Sequence, residues 1–219
     1  MDAVKKNPKS YEHVTPDSVG NKRRVLVSEL SGISNVLFKA MEYNVDLRRD
    51  NPATKEVLKK IKDLEHQGYN YEDAEASFEL LMKKAVKTHR TFFELEGFRV
   101  IVESRNGKLV SEATIKIKVK GIFEHTASEG NGPIDALNNA LRKALEEFYP
   151  SLAQVHLRDF KVRILDPESA TRALTRVVIE SSDGKSIWNT VGVSENIIEA
   201  SWYALVDSIE YKLLKDGVK

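Results

Sequence analysis

The sequence predicts an α+β protein in which a helical segment precedes two copies of a β-β-β-α unit. Apolar residues recur at helical spacing up to about residue 90 and at the two-residue spacing of strands after it. The strand-and-helix pattern then occurs a second time. We therefore expect linker and helical subdomains at residues 1–90, and a domain at residues 91–219 made of repeats 91–153 and 154–219.

The first 90 residues are predicted to hold short elements and one pair of helices. Residues 1–21 are polar and interrupted by proline and glycine, which is typical of a linker. Short β character at Arg24–Val27 and a helical run at Val36–Met41 follow. Thr54–Glu65 and Tyr71–Val86 each place apolar residues on one face, so they predict an antiparallel helical pair.

The end of the second paired helix is rich in basic side chains. No aromatic residues are interleaved with them, so a solvated helix end is favoured over a phosphate-binding patch. The residues concerned are Lys83, Lys84, Lys87, His89 and Arg90.

The first β-β-β-α unit is marked by a change of apolar period after Thr91. Strands are predicted at Phe98–Val102, Ala113–Val119 and Ile122–Ala127. Asn106-Gly107 is a strong hairpin signal between the first two. A helix is predicted from Pro133 to Phe148.

The second unit repeats this layout at a spacing of about 62 to 65 residues. Each unit is expected to cover only one face of its sheet, so the units should pack together or against another copy of the chain. The matching segments are Phe160–Ile164, Thr175–Glu180, the turn at Asp183-Gly184, Ile187–Thr190 and the helix beginning at Ile197.

Composition excludes several functions. With 34 basic and 33 acidic residues the net charge is +1, which favours neither nucleic acid nor an anionic membrane as a partner. The chain has no cysteine, and no apolar run long enough for a membrane span, so we expect a cytoplasmic protein. Its five histidines show no metal-ligand spacing, and no nucleophile or nucleotide-binding motif occurs. We therefore expect no metal, no cofactor and no active site in this chain.

A glycine-rich turn, Gly130-Asn131-Gly132-Pro133, precedes the helix of the first unit. The glycines allow positive φ at two or three consecutive positions, and the amides of a first helical turn have no partner inside the helix. Such a turn can hold a carboxylate or phosphate. An ordinary strand-to-helix turn explains the residues equally well.

Three motifs resemble one enzyme family. Asn7–Val14, Pro16–Gly20 and Arg23–Asn35 are similar to the linker that follows the catalytic barrel of citramalate synthases and 2-isopropylmalate synthases. Gly130–Leu141 and Val191–Trp202 are similar to the two helix entries of that family's C-terminal regulatory domain. The resemblance covers nearly the whole chain, and the linker motif favours the citramalate branch.

This resemblance implies a homodimeric acyltransferase whose barrel, with a divalent metal, condenses acetyl-CoA with a 2-oxo acid. The citramalate branch uses pyruvate and is inhibited by isoleucine, whereas the isopropylmalate branch uses 2-oxoisovalerate and is inhibited by leucine. No barrel occurs in this chain, so whether it acts as an enzyme is left open. A cut or split within the linker, or a separate barrel chain as partner, is expected. Tyr11 matches a family tyrosine that completes the active site of such a barrel.

The residues and the resemblance together predict an effector site. The turn from Gly130 to Pro133, with Asn131 and Gly132 between them, would hold the effector's carboxylate. An apolar pocket and an ammonium acceptor are also needed, although core packing explains the apolar members equally well. The candidates are Ile134, Ile164, Leu165 and Ala173 for the pocket and Asp166 for the ammonium group. The alternative from another class is a nucleic-acid-binding α/β protein, because some RNA-binding domains also combine strands and a helix in this order.

Overall fold

The computed structural model describes residues 14, 16–20, 33–47, 52–166, 168 and 173–218. Its elements confirm the α+β class and the order of a helical segment followed by two β-β-β-α units. The predicted strand at Arg24–Val27 and the candidate Tyr11 lie outside the described residues. The helices are α1 (Ile33–Glu42), α2 (Pro52–His66), α3 (Glu75–Ala85), α4 (Pro133–Leu145) and α5 (Ile197–Lys215). The strands are β1 (Glu94–Arg105), β2 (Lys108–Val119), β3 (Ile122–Gly130), β4 (His156–Ile164), β5 (Thr175–Ser182) and β6 (Ile187–Ser194).

Two helix boundaries were predicted wrongly. Helix α3 begins at Glu75 rather than Tyr71, because the Asn70 side chain accepts the Glu72 N–H at 2.8 Å and forms a local turn instead. Helix α4 ends at Leu145 rather than Phe148. Pro150 disfavours helical backbone at the residue before it, and a short 3₁₀ turn follows.

Strands β1 to β3 form one antiparallel sheet and β4 to β6 form another. The register is the same in both: Ile115 pairs with Thr126, and Ile179, 64 positions later, pairs with Thr190. Each first strand also carries a bulge at the same place, between Leu95 and Gly97 in β1 and between Leu157 and Asp159 in β4. The two predicted β-β-β-α repeats are therefore confirmed, and we call the first unit 1 and the second unit 2. Their predicted bounds, 91–153 and 154–219, stay predictions.

The tight turns of unit 1 follow from their sequences. Asn106 and Gly107, between β1 and β2, have φ of 54° and 74°, and Lys120 and Gly121, between β2 and β3, have φ of 49° and 86°. Two successive residues with positive φ are the requirement of a two-residue hairpin turn. The Asn106-Gly107 hairpin is thus confirmed.

Two apolar cores hold the elements together. The main core lies between the inner faces of both sheets and helices α4 and α5, and buries side chains such as Ile115, Leu141 and Leu205. The helical core lies among α1, α2 and α3, and buries side chains such as Val57 and Phe78.

The helical core also contains residues from the outer face of the second sheet. Val191 and Val193 of β6 are 1% and 8% exposed and belong to this core. The expectation that each unit has only one covered sheet face is therefore wrong for unit 2. It holds for unit 1, where outer-face residues such as Lys116, Phe123 and His125 are exposed.

Candidate functional site

The glycine-rich turn enters α4 without the backbone conformation expected from its sequence. Gly132 has φ of −164° and ψ of 175°, which is extended backbone, and Gly130 is not among the glycines with positive φ. The expectation of positive φ in this turn is therefore wrong. Glycine is required at position 130 for a different reason, because a Cβ there would lie 2.3 Å from the Ala136 nitrogen.

Part of the turn already binds a carboxylate from the chain itself. Asp135 Oδ2 accepts the Asn131 N–H at 2.8 Å and the Asn131 side-chain amide at 3.2 Å. The first intrahelical bond runs from Ala136 N–H to the Gly132 carbonyl at 2.9 Å. The N–H groups of Ile134 and Asp135 therefore precede the intrahelical hydrogen bonds, and the helix dipole adds positive potential there.

The matching end of α5 is capped by its own side chain. Asn196 Oδ1 accepts the N–H groups of Ile198 at 2.8 Å and Glu199 at 3.4 Å. Gly132 occupies the same cap position in unit 1 and offers no side-chain hydrogen bond. Of these two helix ends, only that of α4 lacks a side-chain cap, so it is the more suitable place for an external anion.

Helix α5 also covers the first strand of the other unit. The rings of Phe98 on β1 and Trp202 on α5 are 5.3 Å apart. Phe98 and Val100 line a cavity of about 400 Å³ together with Asn196, Ile198 and Glu199 at the start of α5. An apolar strand face next to a helix N-terminus is the arrangement that an amino-acid effector requires.

The corresponding face of β4 is uncovered. Phe160 and Val162 pair with the inward-facing residues Ile179 and Val177, as Phe98 and Val100 do with Ile115 and Ala113. They nevertheless remain exposed by 36% and 43%, and Ile164 by 57%. We call Phe160, Val162 and Ile164 the β4 stripe.

The structure separates the predicted effector residues into two groups within one chain. Ile134 follows the glycine turn and packs against the main core. Leu165 packs against the helical core, and its N–H donates to the Leu174 carbonyl at 2.8 Å. Ala173 is buried and Asp166 is exposed close to this second group. The predicted pocket thus stays a prediction for the single chain.

Sequence reasoning missed Phe98, Val100 and Ile198 as a cavity. The signal was present, because Ile198 occupies in α5 the position that Ile134 occupies in α4. The contact of α5 with β1 joins elements about 100 residues apart, and a local sequence pattern does not indicate such a contact.

Part of the basic end of α3 forms ion pairs with α5. Lys84 Nζ lies 2.8 Å from Glu210 Oε2 and 3.4 Å from Asp207 Oδ1, and His89 Nε2 lies 3.1 Å from the same Glu210 oxygen. Burial alone would raise the pKa of Glu210, but hydrogen bonding to His89 and the charge of Lys84 lower it overall. The expectation of a solvated helix end is wrong for His89, whose side chain is 7% exposed, whereas Lys84 is 37% exposed and stays at the surface. Both residues connect the helical segment to α5.

Two features are absent from the described residues, a membrane-spanning helix and a cluster of metal ligands. No helix in that part of the chain is long and apolar enough to cross a membrane. Within the same residues, no three histidine or carboxylate side chains lie together as a metal site would require.

Comparison with known families accounts for this architecture. A model of the LeuA allosteric (dimerisation) domain matches residues 72–213, and a model described as homocitrate synthase post-HMGL domain-like matches residues 1–69. The chain therefore belongs to the LeuA allosteric (dimerisation) domain family, and it is a regulatory region.

Individual relatives place this region within longer proteins. The chain is 57% identical to an (R)-citramalate synthase of Geobacter sulfurreducens and 52% identical to one of Aquifex aeolicus, in each case over 98% of the chain. It is 28% identical over 94% of its length to a 2-isopropylmalate synthase of Methanocaldococcus jannaschii. The chain spans 41% of the first two relatives and 38% of the third, and it corresponds to the C-terminal region of the citramalate synthases.

Proposed function

We propose that this chain is the allosteric and dimerisation region of a citramalate synthase-like acyltransferase, which joins acetyl-CoA to pyruvate. It binds isoleucine as a feedback inhibitor. The observation that carries the proposal is an uncapped helix N-terminus in unit 1 combined with an uncovered apolar strand in unit 2. The alternative is the same region of a 2-isopropylmalate synthase that binds leucine. The 28% identity to such an enzyme, against 57% to a citramalate synthase, makes it second.

The internal repeat supports a specific dimer. Within one chain, the start of α5 covers the inner face of β1. If a second copy repeats this contact with the other pair of elements, the start of its α4 covers β4. Two such contacts related by a twofold axis bury both β4 stripes, as a closed homodimer requires.

This dimer brings the two groups of predicted effector residues together. Ile134 of one copy then faces the β4 stripe of the other, including Ile164. The free N–H groups of Ile134 and Asp135 receive the effector's carboxylate, and the stripe contacts its apolar side chain. Asp166, exposed just beyond the end of β4, is the candidate acceptor for its ammonium group.

Thermal unfolding in the presence of amino acids tests this proposal. Isoleucine at about a hundredfold its dissociation constant stabilises the folded state by about 2.7 kcal/mol. For a chain of this length the melting temperature should rise by roughly 5 to 10 °C. Leucine should give a smaller shift, and glycine or lysine far less. A larger shift with leucine than with isoleucine would select the isopropylmalate branch.

The variant Gly132→Asp tests whether the effector's carboxylate binds at the glycine-rich turn, and we expect it to fold normally. A Cβ at Gly132 meets nothing within 4 Å, and its extended backbone accepts any residue. The added side chain can cap the helix as Asn196 caps α5, and its negative charge repels a carboxylate, so Gly132→Asp should remove the isoleucine shift. The matched variant Gly132→Ala adds a methyl group that can neither cap nor repel, so it should retain most of the shift. An undiminished shift in Gly132→Asp would show that the effector binds elsewhere.

A further inference from the structure

A cavity of about 310 Å³ lies where the helical segment meets unit 2, apart from the proposed effector site. Its walls come from the residues leading into α3, from β5 and β6, and from α5. The contact between α3 and the edge of β6 is set by the Val191 N–H, which donates to Ser77 Oγ at 3.0 Å. This hydrogen bond fixes α3 against β6 beside the cavity lining residue Ala76.

The rim of this cavity is acidic. Glu72, Asp73, Glu75 and Glu180 line it, and its lining includes no lysine, arginine or histidine. Two of these carboxylates are neutralised: Glu75 lies 3.1 Å from Lys39 Nζ, and Glu180 lies 3.7 Å from Arg158 Nε. In the part of the chain that the structure describes, Glu72 and Asp73 form no salt bridge, so the rim keeps a net negative charge.

The interior offers two further features, both suited to a cation. The rings of Trp188 and Tyr211 are 5.9 Å apart and inclined by 40°, and Trp188 is only 5% exposed. The Oδ1 atom of Asn189 is buried and accepts no hydrogen bond from the described residues. Burial is the main reason that the pKa of Tyr211 is raised to about 12, and the charges of Glu79 and Glu75 add to it. Lys215 Nζ lies 5.9 Å from the centre of the Tyr211 ring.

We propose that this cavity binds a small organic ammonium compound. The ammonium group sits between the carboxylates of Glu72 and Asp73 and donates to Asn189 Oδ1, while the apolar part lies along Trp188 and Tyr211. The two rings offer apolar contact area to the ligand, and a charge-assisted hydrogen bond to a carboxylate is stronger than a neutral one. An acidic rim rejects carboxylates and phosphates of similar size.

Such a ligand would contact both the helical segment and unit 2. Binding of the ligand would therefore stabilise the packing of the helical segment against unit 2, because the ligand binds only the state in which both cavity walls are together. This inference is independent of the isoleucine proposal, which concerns the α4 end and the β4 stripe.

Calorimetric titration of the 219-residue chain with 2-phenylethylammonium chloride tests the assignment. Binding of this probe is expected, with affinity falling as salt is raised. The neutral 2-phenylethanol and the anionic 3-phenylpropionate should bind at least about tenfold more weakly, a difference of about 1.4 kcal/mol. Equal binding of the neutral compound, no binding of the ammonium probe, or its displacement by millimolar Mg²⁺ would overturn the proposal.

Variants of the chain locate the site. Asp73→Asn and Glu72→Gln should each raise the dissociation constant of the probe about tenfold, and Asn189→Leu should do the same without changing charge. Glu129→Gln is the matched control, because it removes an exposed carboxylate from β3, and it should leave probe binding unchanged. The isoleucine-induced melting shift should persist in all four variants, which separates the two proposals. Equal weakening by Glu129→Gln would mean that general charge, not this cavity, attracts the probe.

Discussion

Units 1 and 2 share strand register and bulge positions but differ in what covers their first strands. In unit 1, Phe98 of β1 packs against Trp202 of α5. In unit 2, the matching Phe160 of β4 is 36% exposed. The same local pattern is therefore partly covered in unit 1, where Val102 of β1 still stays 52% exposed, and open in unit 2. The open strand is the surface that we propose a second copy covers.

On the outer sheet faces it is unit 2 that is covered and unit 1 that is exposed. Unit 1 has Ala127 and Glu129 where unit 2 has Val191 and Val193, which the helical segment covers. Replacing small and charged residues by valine makes the second face apolar enough to bury. Both units bury the inner face of their sheet, and unit 2 also buries its outer face.

We expect the largest loss of stability from a substitution at Gly192, where β6 lies close to the backbone of α5. Gly192 of β6 takes the position of Ser128 in β3, but a Cβ at Gly192 would lie 2.0 Å from the Ala200 carbonyl oxygen and 2.9 Å from Ala204 N. Backbone of α5 cannot move away easily, so Gly192→Ser should destabilise the fold by about 3 kcal/mol. The reciprocal Ser128→Gly should cost less than about 1 kcal/mol. Urea unfolding measures both, and a Gly192→Ser variant as stable as the parent chain would contradict this account.

A second experiment concerns the β4 stripe. Phe160→Asp should weaken dimerisation about a hundredfold, about 2.7 kcal/mol, because it puts a charge into the apolar contact that we propose between copies. The fold should persist, since Phe160 is 36% exposed. Phe123→Asp is the control, because Phe123 is 54% exposed on the outer face of unit 1. Sedimentation equilibrium distinguishes the variants, and an intact Phe160→Asp dimer would place the interface elsewhere.

The repeat was predictable from sequence because alternation along strands and helical periodicity are local properties. The alternating apolar residues of Ala113–Val119 indicated β2, and the matching of Ile197 with Pro133 indicated two helices. These signals depend on neighbours within a few residues and survive any tertiary arrangement.

Contacts between distant elements were not predictable in the same way. The requirement for glycine at position 130 comes from the close approach of Ala136, not from positive φ. The pairing of Lys84 and His89 with Glu210 depends on how α3 packs against α5. A single sequence contains the residues of such contacts but not the geometry that brings them together.

The third prediction concerns the turn between β5 and β6, which is longer than the Lys120-Gly121 turn of unit 1. The hydrogen bond from Lys212, at 2.9 Å, and those from the Ser186 and Lys185 amides hold the pKa of Asp183 well below its usual range. A carboxyl with a lowered pKa stabilises the fold above its unfolded pKa, near 3.8, and loses this effect as pH falls through the folded value. Asp183→Asn should therefore cost about 2 kcal/mol at pH 7 and progressively less below about pH 4.

Unfolding midpoints between pH 2.5 and 7 check this sign. Asp159→Asn is the control, since Asp159 is exposed on β4, and it should leave midpoints nearly unchanged at pH 7. If Asp183→Asn lowers the stability by the same amount at every pH, the hydrogen bonds rather than the charge of Asp183 stabilise the turn.

We expect the smallest effect from a side-chain hydrogen bond that both units form at matching positions of strand and helix. Thr126 Oγ1 donates to the Ala140 carbonyl at 2.9 Å, and Thr190 Oγ1 donates to the Ala204 carbonyl at 2.7 Å. Thr190 is fully buried whereas Thr126 is only half-buried. Thr190→Val should cost about 1.5 kcal/mol, because the helix carbonyl loses a partner that water cannot replace, and Thr126→Val about 0.5 kcal/mol. Chemical denaturation of the two variants and their combination should give additive losses, and an equal cost at both sites would show that burial does not distinguish the units here.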